Sequence, residues 1–222
     1  MVLESCRMNW NAFRQRFHYN YKKHLAIIFS SIAIALMLAC GTIAIIDHFY
    51  YDIPLSISTP LSAYNIAFFL VAYFVILIGN INSNNSAYQG VLIYIFASAF
   101  SAAITVFMSG IMSFSSFFSG SPLAIGLTLV QLLFNVFGLI TGIFSYIRLS
   151  QYLRSSFVSY ERVRNWTLAF VIFQIISSGI LPFLLLVEGT SGLAIILAFL
   201  SPLSEVFICL SIYFTVLRLR SY

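Results

Sequence analysis

Charged residues are scarce in this chain of 222 residues. Asp, Glu, Lys and Arg together make up 8% of the sequence, whereas apolar residues make up 61% and the mean hydropathy is +0.98. An ordinary soluble domain carries about 25% charged residues, so this composition excludes that class and predicts a polytopic membrane protein. The apolar runs use most of the length, so we expect no separate soluble catalytic or nucleotide-binding domain within these 222 residues.

Cysteines are few, and the common catalytic motifs are missing. The three cysteines, Cys6, Cys40 and Cys209, are widely spaced and form no C-x-x-C pair or Cys/His cluster. This spacing argues against a disulfide framework and against a zinc site. The sequence also lacks H-E-x-x-H, G-x-S-x-G and a phosphate-binding loop. We therefore expect no catalytic residue, no metal, no cofactor and no enzymatic activity.

Basic residues are absent from every apolar run. The eleven Lys and Arg residues precede the first run, lie between the fourth and fifth, or follow the last: Arg7, Arg14, Arg16, Lys22, Lys23; Arg148, Arg154, Arg162, Arg164; Arg218, Arg220. Basic residues that flank membrane spans are retained in the cytoplasm, which predicts that both chain ends lie on the cytoplasmic side of a cell membrane. Anionic lipid headgroups are the natural counter-ions of the net charge of +5, so we expect no nucleic-acid partner.

Six apolar runs reach the roughly 20 residues that a membrane-spanning helix needs. They are Leu25–Ile46, Ala63–Ile81, Tyr88–Ile111, Pro122–Ile147, Thr167–Val187 and Leu193–Leu217. We predict an all-α integral membrane protein with six transmembrane helices over residues 25–217 and a cytoplasmic tail over residues 218–222.

An amphipathic helix is predicted before the first span, over residues 1–24. Its aromatic positions recur every three or four residues, and basic residues fill positions between them: Trp10, Phe13, Phe17; Arg14, Arg16. Such a helix is suited to lie in the inner membrane interface. It is either a lipid anchor or a docking surface for a cytoplasmic partner.

Polar side chains share one face of the predicted fourth span. Gln131 and Asn135 lie on this face with Thr128, Gly138 and Gly142, because offsets of three and four residues repeat on the same side of a helix. Small and weakly polar residues allow helices to pack closely in membranes. Side-chain amides are also costly in lipid unless they are hydrogen-bonded. The face therefore indicates either helix packing or a polar translocation path.

Glu205 is the one acidic or basic residue within the predicted spans. An isolated carboxylate at the bilayer centre costs about 2.5 to 3.5 kcal/mol on insertion scales, so we expect it to be protonated, hydrogen-bonded or in contact with water. Gln174 on the fifth span, and Gln131 or Asn135 on the fourth, are the candidate partners.

Pro202 leaves an alternative open for Glu205. If the proline bends one continuous sixth helix, Glu205 lies inside the membrane. If the sixth span instead starts at Pro202, Glu205 occupies its first turn near the outer surface, where the helix dipole favours an anion.

The sequence resembles the ABC-2-type transporter permeases in three features. These are the amphipathic N-terminal helix, six spans with both ends inside, and Ser201-Pro202-Leu203-Ser204 after a short apolar stretch. The resemblance implies a homo- or hetero-oligomer that pairs with a cytoplasmic ATPase subunit and exports lipids, glycans, peptides or drugs. The chain departs from that family at the loop over residues 82–86, which is short and uncharged where the family usually has a coupling helix. The competing hypothesis is a membrane assembly or interaction protein without transport activity.

Overall fold

The computed structural model describes residues 2–50, 58–82, 84–116, 122–154, 158–187 and 193–221. Over these residues it contains six α-helices, a short 3₁₀ turn at Arg218–Ser221 and no strand. The helices are α1 Val2–Tyr50, α2 Ser58–Asn82, α3 Asn84–Ser116, α4 Pro122–Arg154, α5 Tyr160–Val187 and α6 Leu193–Leu217. The predicted all-α class is confirmed.

Five of these helices are long and apolar enough to cross a membrane. Their apolar segments are Tyr19–Ile43, Asn85–Ile104, Ile125–Arg154, Tyr160–Ile180 and Phe199–Leu217. The chain is therefore an all-helical membrane protein. The shorter apolar stretch of α2, Ala67–Asn82, is also helical, but a sixth span remains a prediction.

Helix α1 joins the predicted amphipathic segment to the first apolar run without a break. At 1.5 Å per residue its 49 residues extend over about 73 Å, which is more than the roughly 40 to 45 Å of a whole bilayer. Part of α1 therefore projects beyond the lipid if the helix is straight. The side chains of Trp10, Phe13, Arg14 and Arg16 lie outside the described side chains, so the interfacial role of residues 1–24 stays a prediction.

The helices form a closed ring in chain order. Each helix packs against the next, α6 returns to pack against α1, and α6 also contacts α2 and α3. Large side chains with no exposed surface fill the space between the helices, among them Tyr73, Tyr94, Phe170, Ile208 and Ile212. This arrangement places α6 where it faces four of the other helices.

Two glycines allow α2 and α3 to approach closely. A Cβ atom at Gly79 would overlap the backbone of Ala87, and one at Gly90 would lie 2.8 Å from the backbone nitrogen of Ile76. Both helices are apolar, so their association depends on close van der Waals packing. Any larger residue at Gly79 must separate the two backbones.

One end of the ring collects four segments that are distant in sequence. Lys23 Nζ donates to the Ile81 carbonyl at 3.1 Å, and Lys22 Nζ donates to the Leu217 carbonyl at 3.3 Å. The Tyr152 hydroxyl donates to the Leu219 carbonyl at 3.4 Å. We call this the basic end, since Lys22 and Lys23 of α1 meet the C-terminal ends of α2 and α6 here.

Helix α6 runs through Pro202 as a single helix from Leu193 to Leu217. The structure thus has a continuous helix where the sequence left a separate start at Pro202 open. Glu205 is the central residue of α6 and does not lie in its first turn, so the N-terminal dipole of this helix is not what stabilises the carboxylate.

Candidate functional site

Glu205 is partly buried and faces α5. Gln174 Nε2 donates a hydrogen bond of 2.9 Å to Glu205 Oε1. The Ser178 hydroxyl, one turn further along α5, is also within hydrogen-bonding reach of the carboxylate. Residues four apart lie on the same helix face, so α5 presents two neutral polar groups to one acid.

Ser98 extends this interaction to a third helix. Its hydroxyl donates to Gln174 Oε1 at 2.9 Å. The amide oxygen of Gln174 is therefore occupied by α3, and its NH₂ group faces Glu205 on α6. We call Ser98, Gln174 and Glu205 the polar chain.

The charge of Glu205 has no cationic partner among the described residues that contact it. Its hydrogen-bond partner is Gln174, and the Ser178 hydroxyl beside it donates to the Gln174 backbone carbonyl at 2.9 Å; both residues are neutral. The titratable groups close enough to interact with it electrostatically are Tyr73, Tyr94 and Cys209. None of these groups carries a positive charge at any pH. An ionised Glu205 is therefore compensated by dipoles alone, which is the costly arrangement for a charge inside a membrane bundle.

The other two candidate residues, Asn135 and Gln131, are placed differently from Gln174. Ser177 on α5 donates to Asn135 Oδ1 on α4, which forms a separate contact beside the polar chain. Gly138 places α4 close to the polar chain, since a Cβ atom there would lie 3.9 Å from Gln174 Oε1. Gln131 is partly exposed, and within the described residues it makes no hydrogen bond to Glu205 or Gln174. The structure thus brings Gln174 to Glu205, sets Asn135 next to them and leaves Gln131 apart.

Ser98 is not among the site residues that the sequence predicts. The only signal for it is its position in α3 at the spacing of Ser101 and Thr105, which also fits ordinary helix packing. Its contact with Gln174 depends on how α3 is rotated against α5, and the sequence does not specify that rotation.

A second polar cluster lies at the basic end and centres on Arg218. The side chain has no exposed surface, although the sequence predicts Arg218 in a cytoplasmic tail. Its Nη2 donates to Asn80 Oδ1 on α2, and its guanidinium carbon lies 5.8 Å from the ring centroid of Tyr19 on α1. Asn80 Nδ2 donates to Thr215 Oγ1 at 3.2 Å. Arg218 therefore holds the end of α6 against α2 and α1.

The docking residues predicted on α1 are described only in part. Phe17 has 62% of its side chain exposed, and Tyr21, four residues along the same helix face, has 56%. Two neighbouring exposed aromatics fit a helix face that meets lipid headgroups or a partner.

The described residues contain no group of three His, Cys, Asp or Glu side chains that could hold a metal ion. We found no match to this chain among protein-family models, curated protein sequences or solved structures.

Proposed function

We propose that the chain is the permease subunit of an export-type membrane transporter, and that the polar chain borders its substrate path. The observation that supports this proposal is the hydrogen-bonded series from Ser98 through Gln174 to Glu205. An ionisable residue inside a membrane bundle is costly, and such residues typically mark ion or substrate paths. Glu205 fits this pattern because its charge is balanced by no cation among its described contacts.

The position of the polar chain is suited to a transport step. Its three members belong to α3, α5 and α6, so a small rotation or translation of one helix would break or remake a hydrogen bond. Transporters commonly alternate access by moving one group of helices against another around a fixed central site. The central position of Glu205 on α6 agrees with that geometry.

The topology and the energy source belong to the same proposal. We propose six spans with both chain ends in the cytoplasm, and a separate cytoplasmic ATPase that docks at the basic end. The contacts of Lys22, Lys23 and Arg218 support the topology, since they gather three basic residues at one end of the ring and basic residues are retained in the cytoplasm. Trp10, Phe13 and Phe17, with Arg14 and Arg16, are the proposed docking residues on α1.

A membrane assembly or interaction protein is the second candidate. The contacts between α4 and α5 favour it, because Ser177 pairs with Asn135 and the hydroxyls of Ser145 and Thr167 pair at 3.0 Å. These pairs satisfy polar groups between helices without any free charge, as expected for packing alone. In this case the polar chain is one more set of hydrogen bonds that hold helices together.

Purification of intact complexes from native membranes in a mild detergent separates the two functions. We expect wild-type protein and Glu205→Gln to retain an ATPase, identified by mass spectrometry, and the triple substitution of Trp10, Phe13 and Phe17 by Ser to lose it. The complex containing Glu205→Gln should hydrolyse ATP more slowly in proteoliposomes. As a control, Asn135→Ala should hydrolyse ATP at the wild-type rate.

Purification of the wild-type chain without any ATPase, at a yield where stable partners are recovered, would contradict the proposed energy source. Equal hydrolysis by wild-type and Glu205→Gln complexes would remove the polar chain from the transport path and favour the assembly function.

A further inference from the structure

We propose that Glu205 is a proton-binding site, and that the side-chain amide of Gln174 rotates by a half-turn when the proton binds. The polar chain then reverses the direction of both of its hydrogen bonds. Proton binding is measurable without transport, whereas its use in driving transport rests on the proposed function.

In the arrangement that the structure shows, the polar chain serves an ionised Glu205. Ser98 Oγ donates to Gln174 Oε1, and Gln174 Nε2 donates to Glu205 Oε1, both at 2.9 Å. Both donated protons point toward the acid, which is the direction that stabilises a carboxylate.

When the proton binds at Oε1, the carboxyl oxygen that faces Gln174, the opposite direction is required. The carboxyl O–H of Glu205 becomes a donor, and Gln174 Nε2 has no lone pair to accept it. A half-turn of the Gln174 amide exchanges its oxygen and nitrogen while leaving their positions nearly unchanged. The carboxyl O–H then donates to Gln174 Oε1, and Nε2 donates to Ser98 Oγ, since a hydroxyl both donates and accepts. Both charge states keep two hydrogen bonds, so neither leaves an amide group unsatisfied.

The side chains around Glu205 suit a proton better than a metal cation. A hard cation needs several oxygen ligands at once. Here the oxygen of Gln174 is held by Ser98, and the group that faces the carboxylate is an NH₂. A proton needs one lone pair, which the carboxylate supplies.

Among the described side chains, the helices around α6 bring no competing charge to this position. The titratable groups near Glu205 are Tyr73 on α2, Tyr94 on α3 and Cys209 on α6 itself, and Cys40 on α1 faces Tyr73. Among the described side chains of α5, those beside Glu205 are the neutral Gln174 and Ser178. Cysteine and tyrosine ordinarily lose their protons at higher pH than a carboxyl group does, so they stay neutral while a carboxyl group changes charge.

Among the described residues, the nearest cation along α6 is distant from Glu205. Arg218 lies on the turn that follows α6, and the rise of 1.5 Å per residue puts it about 20 Å from Glu205. The bound proton is therefore the charge that can neutralise this acid locally.

A hydrophobic carbodiimide tests proton binding in the full-length protein in lipid nanodiscs. The reagent adds whole to a protonated carboxyl group and gives a stable acylurea, which mass spectrometry locates. We expect an adduct on Glu205 at low pH, and its yield should fall about tenfold for each pH unit above the midpoint. Glu161, which is exposed, serves as the internal control and should stay unlabelled.

Three results bear on the proton directly. Loss of the adduct in Glu205→Gln with retained helix content supports the assignment. An adduct yield that does not vary with pH would contradict it. Protection of Glu205 by sodium chloride, but not by choline chloride, at constant pH would overturn it in favour of a metal-cation site.

Infrared spectroscopy on protein labelled with side-chain ¹³C-glutamine tests the half-turn of the Gln174 amide. The difference spectrum between low and high pH should contain a glutamine amide band in wild type and in Gln131→Leu. That band should disappear in Glu205→Gln and in Gln174→Met, which keeps an unbranched side chain of similar length. Ser98→Ala, a milder change, should retain the band at a shifted frequency.

The failures of the two proposals are distinguishable. If Glu205 titrates but the difference spectrum contains no glutamine amide band, only the half-turn of the Gln174 amide is disproved. A Glu205 that titrates in a protein without an associated ATPase would leave the proton site standing and contradict the proposed transporter. An ATP-driven complex in which Glu205 does not titrate would contradict the proton site alone.

Discussion

A buried charge is stabilised in different ways at the centre and at the end of α6. At the end, Arg218 meets the side-chain oxygen of Asn80, and Lys22 meets the Leu217 carbonyl. At the centre, Glu205 meets the NH₂ group of Gln174 and the Ser178 hydroxyl. The first site is a cation among oxygen atoms, and the second is an acid among groups that can reverse their hydrogen bonds.

The difference follows from the helix ends. The carbonyl groups in the last turn of a helix carry a fixed partial negative charge, which favours cations there at any physiological pH. The middle of a helix offers no such fixed charge, because its backbone groups are already paired. The basic end is therefore suited to a permanent structural role, whereas the polar chain is suited to a charge that changes.

Asn80→Leu should have the largest effect, because it removes an acceptor from the buried guanidinium of Arg218. We expect the free energy of unfolding to fall by about 3 kcal/mol, the upper range for a hydrogen bond to a charged group. Titration with SDS in mixed micelles measures this. Asn80→Asp keeps the acceptor and should remain close to wild type. A fully stable Asn80→Leu would show that the basic end is not structural.

Gly79→Ala should come next, since Gly79 adjoins Asn80 and sits against the backbone of Ala87. Forcing a methyl group between the α2 and α3 backbones should cost about 2 kcal/mol of unfolding free energy. Gly179→Ala is the matched control, because nothing lies within 4 Å of a Cβ atom there. In the same SDS titration it should be neutral or stabilising. Equal losses in both variants would point to helix propensity and not to the close approach.

Glu205→Leu should destabilise the protein less, by about 1 to 2 kcal/mol, because it leaves the Gln174 amide without its acceptor. Glu205→Gln preserves shape and hydrogen-bonding capacity and should unfold like wild type. Thermal unfolding in nanodiscs, followed by circular dichroism, compares the two. A large loss in the Gln variant would mean that the ionised carboxylate is itself a structural requirement.

Lys23→Ala should have the smallest effect, about 0.5 kcal/mol, because the Lys23 ammonium is exposed where it meets the Ile81 carbonyl. Salt should reduce the effect further, since exposed charges are screened. SDS unfolding at low and high ionic strength measures both. A loss as large as that of Asn80→Leu would contradict the distinction between exposed and buried contacts at the basic end.

The helices were predictable from the sequence for a simple physical reason. Runs of about 20 apolar residues have one stable backbone form in lipid, the α-helix. The same logic singled out Glu205, because a single acid in such a run needs a partner, and Gln174 was among the few polar residues able to reach it.

The contacts between helices were not predictable in the same way. Ser98 reaches Gln174 because of how α3 is rotated, and Arg218 is buried because α6 ends beside Asn80. Periodicity gives the polar face of one helix but not the helix that this face meets. For the same reason, Gln131 and Asn135 share a face of α4 in sequence, yet only Asn135 meets a polar side chain of α5.

The central claim, that the acid in the middle of α6 changes its charge, is tested most directly by the carboxyl C=O band of Glu205 in infrared spectra. Full-length wild-type protein and Glu205→Gln would be titrated in nanodiscs, and their difference spectra compared. We predict a protonated carboxyl band that vanishes reversibly as the pH rises in wild type and is missing from Glu205→Gln at every pH. Identical spectra for the two proteins across the titration would contradict the account.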